Sequence, residues 1–243
     1  QGLPYIDGLM LLNDSATGKT LAIMDGGFLT ALRTGAVGGV GMRYFSPPTA
    51  DSVGIVGAGR QGFYQAVYSC YARPIQDIYL FDAYKPDLSV YADDLAVELK
   101  DKRPQIHICR DIKELVARSR IIVTATPSRE PVLPDDEQLL KGKCIIAIGS
   151  HTPHMRELPD AVWRSVDHVY TELPFAMEES GDLSQPLAAR LLTPDQIRYI
   201  GDLLIAGGQA EPLAVDGTTC FKSVGMALLD LNVAWLIYQS AIS

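Results

Sequence analysis

Ser52-Val53-Gly54-Ile55-Val56-Gly57-Ala58-Gly59-Arg60-Gln61-Gly62 is the stretch that decides how this chain folds. Val53 to Val56 is short, apolar and β-branched, the pattern of a buried parallel strand. Gly57 to Gly62 then spells a complete G-x-G-x-x-G. Phe63, Ala66, Val67, Cys70 and Tyr71 follow at the spacing of one apolar helix face. Ile78 to Phe81 reads as a second strand and ends at Asp82, twenty residues past Gly62. Strand, glycine turn, helix, strand and terminal acid in that order predict a dinucleotide-binding βαβ unit.

Each position in the turn has a physical task. Gly57 permits the tight bend, Gly59 lets a pyrophosphate approach the backbone, and Gly62 lets helix and strand pack closely. The unpaired N–H groups of the helix start, around Ala58, Arg60 and Gln61, would face the phosphates. Asp82 can accept from both hydroxyls of an adenosine ribose and would repel a 2′-phosphate. NAD is therefore expected over NADP, with Lys85 close enough to work against that preference.

On either side of this unit the chain keeps to one pattern. Leu9–Leu12 and Thr20–Met24 read as a hairpin around the turn formers Asn13 to Gly18. A two-stranded ribbon is marginal alone, so it needs a partner, either a preceding segment or another subunit. Asp25 is a plausible N-cap for a helix reaching about Tyr44. Gly35, Gly38, Gly39 and Gly41 each weaken that helix by up to ~1 kcal/mol, which implies that a ligand or another backbone approaches closely. Arg33 lies in the middle of it, either as a solvated arginine or as a cation facing a ligand. Phe45-Ser46-Pro47-Pro48 closes the helix and marks a unit boundary.

Beyond Asp82, a helix from about Asp87, strands at Ile106–Cys109, Ile121–Thr124 and Cys144–Ile148, and a further strand at Val169–Thr171 continue the βα alternation of a doubly wound sheet. The loops Ala125–Pro131 and Gly149–His154 leave strand ends on the edge where such sheets bind ligands. His151 has two readings there, substrate contact or a loop histidine bonded to backbone. His151 and His154 lack a third ligand, so no metal site is expected. Met177 to Leu183 reads as acidic and irregular. A helix through Ile197, Ile200, Leu203 and Leu204 follows, closed by Gly207-Gly208. A last helix from about Val224 to Ala241 carries Met226, Leu229, Val233, Leu236 and Ile237 as a core or subunit-interface stripe.

Composition narrows the class. The 243 residues are 47% hydrophobic and 21% charged, with a net charge of −8, which argues for a globular chain and against non-specific nucleic-acid binding. Four scattered cysteines suggest reduced core residues. With no membrane-length apolar run and no signal peptide, a cytoplasmic location is expected.

Several segments together resemble the ornithine cyclodeaminase/mu-crystallin family: Met24 to Ala36, the Gly57–Gly62 turn with Gln65, Thr124 to Ser128, Gly149 to Leu158, Glu179 to Asp182, and Phe221 to Gly225. The resemblance implies a Rossmann-type doubly wound parallel sheet over residues 49–216, inserted in a smaller α+β substrate-binding and dimerisation domain made of residues 1–48 and 217–243. It implies a homodimer, an Arg33 that grips the substrate α-carboxylate, Thr126 and the Ser223-Val224-Gly225 turn near the nicotinamide, and Thr124 among the cofactor-binding residues. The family carries a lysine near the substrate, upstream of the stretch matching Gly2-Leu3-Pro4, so several dozen further residues are expected before Gln1. True ornithine cyclodeaminases carry an aspartate where His151 stands, and Gly149 to Leu158 is more similar to the ketimine reductases and alanine dehydrogenases. The expected activity is therefore NAD(H)-dependent oxidoreduction of a small α-imino or α-amino acid, with Arg33 and His151 as catalytic residues. Ornithine cyclodeaminase and a non-catalytic binding protein remain as alternatives.

Overall fold

The structure, a computed structural model, describes residues 7–207 and 217–243. It opens with an antiparallel hairpin, β1 (Leu9–Asn13) and β2 (Thr20–Asp25), followed by helix α1 (Gly26–Phe45). The chain then alternates through β3 (Ser52–Val56), α2 (Arg60–Ala72), β4 (Asp77–Phe81), α3 (Ser89–Glu98), β5 (Gln105–Ile108), α4 (Ile112–Arg118), β6 (Ile121–Thr124), α5 (Glu137–Leu140) and β7 (Cys144–Ala147). It continues with α6 (Asp160–Ser165), β8 (Val166–Thr171), α7 (Ala176–Glu179), α8 (Gly181–Ala188), β9 (Ile197–Tyr199), α9 (Ile200–Ile205), β10 (Thr218–Lys222) and α10 (Ala227–Ile242).

Eight strands form one sheet in the order β5-β4-β3-β6-β7-β10-β8-β9, every neighbouring pair parallel. The order reverses between β3 and β6, the switch point at which such sheets open a crevice. Alternate side chains serve opposite faces. Val53, Ile55, Ile121, Val123, Ile146 and Phe221 pack with Met42, Phe45, Ala66 and Leu95 on one face. Ile122, Ile145, Ala147 and Cys220 pack with Leu115, Val116, Val162 and Trp163 on the other.

Register places the site. Val56 pairs with Thr124, Thr124 with Ala147, and Ala147 with Lys222. These four residues form a row across the sheet, so Gly57, Ala125, Ile148 and Ser223 all leave it at one level.

The expected N-cap holds: Asp25 Oδ1 accepts from Phe28 N at 2.8 Å. The glycines of α1 face protein. A Cβ at Gly35 would sit 2.9 Å from Tyr64 Cβ, and one at Gly41 only 2.4 Å from the Phe221 ring. Their helix-weakening effect is offset by close packing on α2 and β10.

Four local expectations need correction. Thr218–Lys222 is a strand in the middle of the sheet, although the terminal assignment placed it with the hairpin and last helix. The last helix starts at Ala227 rather than Val224, because Gly225 adopts φ +81, outside helical space. Met177 to Leu183 is mostly helical, Ser180 capping α8 by accepting from Asp182 N. Ile197 belongs to a short edge strand, and the helix begins only at Ile200. Gly208 lies outside the described residues.

Candidate active site

The glycine turn takes the form its sequence requires. Gly57 adopts φ +102, and a Cβ at Gly62 would lie 2.0 Å from Gly57 O. Gly59 differs, since nothing lies within 4 Å of its would-be Cβ. It is the N-cap of the 13-residue α2 and offers no side-chain cap, so the helix N–H groups point into open space. Asp82 is held against this turn, Oδ2 accepting from Ala58 N at 2.8 Å and Oδ1 from Tyr84 N at 2.9 Å. Lys85 Nζ donates to Ala58 O at 2.7 Å, tying both charges of the β4 end to one loop.

Two hollows meet at the turn. One, of about 480 Å³, is lined by Ala58, Gly59, Arg60, Lys85 and the aromatic rings of Phe28, Phe63, Tyr64 and Tyr91. The other, of about 540 Å³, runs along the carboxyl ends of β3, β6, β7 and β10. It gathers Arg33, Gly59, Arg60, Gln61, Thr126, His151, Ser223, Val224 and Gly225. Thr124 stands apart, fully buried with its hydroxyl donating to Glu157 at 3.0 Å.

Arg33 is placed by α1 and anchored by α10. Its Nε donates to Asp230 Oδ1 at 3.1 Å, with the Arg33 side chain 15% exposed. The guanidinium end lies over Gly225, where an added Cβ would be 2.4 Å from Nη1. His151 is exposed, and its Nδ1 lies 2.9 Å from Gly149 O. A carbonyl only accepts, so Nδ1 carries the proton and Nε2 is the acceptor of the neutral ring. His151 is thus a backbone-bonded loop histidine that also lines the cleft.

The wall also holds two polar atoms without hydrogen-bond partners among the described residues, Thr34 Oγ1 and Gln61 Oε1. Buried polar groups are rarely left unpaired. With the open helix start beside Gly59, they form a polar lining that fits a dinucleotide along the sheet edge. No group of three His, Cys, Asp or Glu side chains is gathered as a metal site among the described residues.

Residues 1–243 match the ornithine cyclodeaminase/mu-crystallin family over their whole length. The chain belongs to this family. It is 33% identical over 244 residues to a Delta(1)-pyrroline-2-carboxylate reductase of Bacillus cereus, covering 99% of this chain and 73% of that one. Among solved structures it is similar to Thermococcus litoralis Delta(1)-pyrroline-2-carboxylate reductase in complex with NADH and L-proline. There the TM-score is 0.90 at 30% identity, over 99% of this chain and 73% of the other. An archaeal alanine dehydrogenase dimer with bound NAD gives a TM-score of 0.85 at 26% identity, over 100% and 73%.

In this member of the ornithine cyclodeaminase/mu-crystallin family, four acids and a lysine support the cleft without having been singled out from sequence. Glu172 accepts from the Ser223 hydroxyl and from Val224 N at 3.3 Å, fixing the turn that leaves β10. Asp230 orients Arg33. Glu157, Asp182 and Lys222 form a buried group under the loops after β6, β7 and β10. The signal available was a charged residue inside an apolar neighbourhood, as in Met155-Arg156-Glu157-Leu158 and Cys220-Phe221-Lys222.

Proposed function

We propose that this chain is an NADH-dependent reductase of small cyclic α-imino acids, yielding the corresponding α-amino acid. The carrying observation is one cleft that joins the open start of α2 to a guanidinium oriented by Asp230. That is an anion-binding helix end and a carboxylate clamp facing one space. The similarity to the pyrroline-2-carboxylate reductases of Bacillus cereus and Thermococcus litoralis supports the substrate class.

When bound, NADH would supply a hydride for the substrate α-carbon. Gly57, Ala58, Gly59, Arg60, Gln61 and Gly62 would hold its pyrophosphate, and Asp82 its adenosine ribose. Thr126 and the Ser223-Val224-Gly225 turn would shape the nicotinamide end, while Thr124 acts from beneath by fixing Glu157. Arg33 grips the α-carboxylate with the Nη groups that Asp230 leaves over Gly225, so the substrate is oriented before reaction. His151 holds a proton at Nε2 when charged and passes it to the substrate nitrogen.

Residues 1–48 and 223–243 form the substrate and dimer unit, and β10 joins the NAD-binding unit of residues 49–216. A homodimer covers the apolar side chains exposed on the hairpin and α10, among them Leu9, Ile23, Leu228 and Leu236. The dimeric archaeal relative supports this, and a monomeric mass by analytical ultracentrifugation would sink it. Four buried free thiols and a nicotinamide cofactor support a cytoplasmic setting.

The test follows NADH absorbance with 1-pyrroline-2-carboxylate, 1-piperideine-2-carboxylate, or pyruvate plus ammonia. Steady loss of NADH with a cyclic imine supports the reading. Proline formed from ornithine without net NADH change makes the protein a cyclodeaminase instead. NADH binding without turnover of any of these makes it a binding protein.

A further inference from the structure

Glu157 is fully buried and surrounded by donors. It accepts from Thr124 Oγ1 (3.0 Å), Thr126 N (2.7 Å), Thr126 Oγ1 (2.8 Å), Gly149 N (2.7 Å) and Ser150 N (3.2 Å). Three of these are backbone N–H groups, which cannot accept a proton in return. Burial and then the neighbouring Asp182 push the Glu157 carboxyl above the usual range, while Lys222 and Thr126 pull it back. Backbone N–H donors on both carboxyl oxygens, with two hydroxyls free to donate as well, match the carboxylate form.

Asp182 is equally buried, and its Oδ1 accepts from Glu157 N at 2.7 Å and Leu158 N at 3.0 Å. Its Oδ2 lies 3.4 Å from Lys222 Nζ, an ion pair but not a formed hydrogen bond. Lys222 is fully buried too and donates to Ala147 O at 3.3 Å. Two carboxylates and one ammonium leave the group with a net charge of −1. It touches the backbone after β6 and β7 directly, and Lys222 directly precedes the Ser223–Gly225 turn. Glu157 lies so close under Gly149 that a Cβ there would be 2.6 Å from Oε1.

We infer that the Glu157–Asp182–Lys222 group is an electrostatic device as well as a scaffold: its buried negative charge favours the cationic, oxidised nicotinamide over the neutral, reduced one. The inference rests on the proposed function, which places the nicotinamide beside Thr126 and Ser223–Gly225. A fixed charge in a water-poor site acts more strongly than the same charge in solvent. It draws the positive charge that hydride donation leaves on the ring and so promotes transfer toward an imine. A scaffold alone would affect both redox forms of the cofactor alike, and only a charge separates them.

The experiment measures dissociation constants for NAD⁺ and NADH separately, by titration calorimetry, on the wild-type protein and on Glu157→Gln and Asp182→Asn. Asparagine at 182 keeps an oxygen for the Glu157 and Leu158 N–H groups, so this variant retains the loop anchor while removing one charge. Each folded variant should bind NAD⁺ more weakly relative to NADH, the ratio of the two constants moving about 30-fold, as for one buried charge roughly 8 Å from the ring at an effective dielectric near 20. Equal weakening of both forms, or no change in either, overturns the inference and leaves the proposed function standing. A wild-type protein that binds neither form overturns the proposed function itself.

Discussion

In the proposed function Arg33 serves two carboxylates with one side chain. Asp230 takes Nε and leaves the Nη end over Gly225, a division that the planar guanidinium fork allows and a lysine ammonium does not. Arg33→Lys keeps the positive charge but cannot hold Asp230 and a bidentate substrate carboxylate together. A charge-assisted hydrogen bond contributes about 1.5–3 kcal/mol, so kcat/KM for the imino acid should fall roughly 10- to 100-fold, mostly through KM. NADH affinity should stay within about twofold, because the proposed role of Arg33 is toward the substrate rather than the dinucleotide. Steady-state kinetics with a parallel NADH titration decides it, and an unchanged kcat/KM would remove Arg33 from the substrate site. From sequence this residue stood between two readings. Its polar partner lies 197 positions away, and no local pattern announces so distant a contact.

At the scale of single elements, the glycine turn was the most legible part of the chain, because its constraints are local. The structure separates the three glycines by their task. Gly62 is sterically required, with a would-be Cβ 2.0 Å from Gly57 O. Gly59 has open space and extended backbone, φ −97, so alanine is tolerated there by the fold but protrudes where a phosphate would approach. Gly59→Ala should therefore melt within about 2 °C of wild type while its NADH affinity drops tenfold or more, and Gly62→Ala should lose both. Thermal melts paired with NADH fluorescence titrations test this contrast. A Gly59→Ala protein with wild-type NADH affinity would show that phosphate does not approach there. The elements that escaped the sequence reading carry misleading local signals. β10 holds Lys222 in a central strand, where a charge normally argues against burial. The helices α7 and α8 are separated by the extended Ser180, and α8 contains Pro186, which hides their periodicity.

Across the whole molecule, the sheet was readable as far as each strand sits next to a helix in sequence. The insertion of β10 between β7 and β8 was not readable, since it joins residues that no local pattern connects. That insertion brings the Ser223–Gly225 turn to the switch-point edge and completes the cleft. It also buries Cys220 deep in the sheet, one register position from Cys144 and in the core of the opposite face. Burial pushes the Cys144 thiol up to about 12, with Thr219, Arg73 and Arg120 pulling back, and pushes Cys220 up further still. An unfolded thiol ionises near pH 8.5. Between about pH 8.5 and 12 the unfolded chain has therefore released protons that the folded chain retains. The folded state binds more protons there, so the stability these thiols contribute is complete below about pH 8.5 and is lost as pH rises toward 12. Each such thiol should remove at most about 1.4 kcal/mol per pH unit in that window. Urea unfolding of wild type and Cys144→Ala at about pH 8 and pH 10 isolates this contribution from the lysines and tyrosines that titrate nearby. The variant should start less stable, by about 1 kcal/mol for the small cavity, and then lose less than wild type as pH rises. Parallel losses in the two proteins would mean that Cys144 ionises in the folded state as readily as in the unfolded chain.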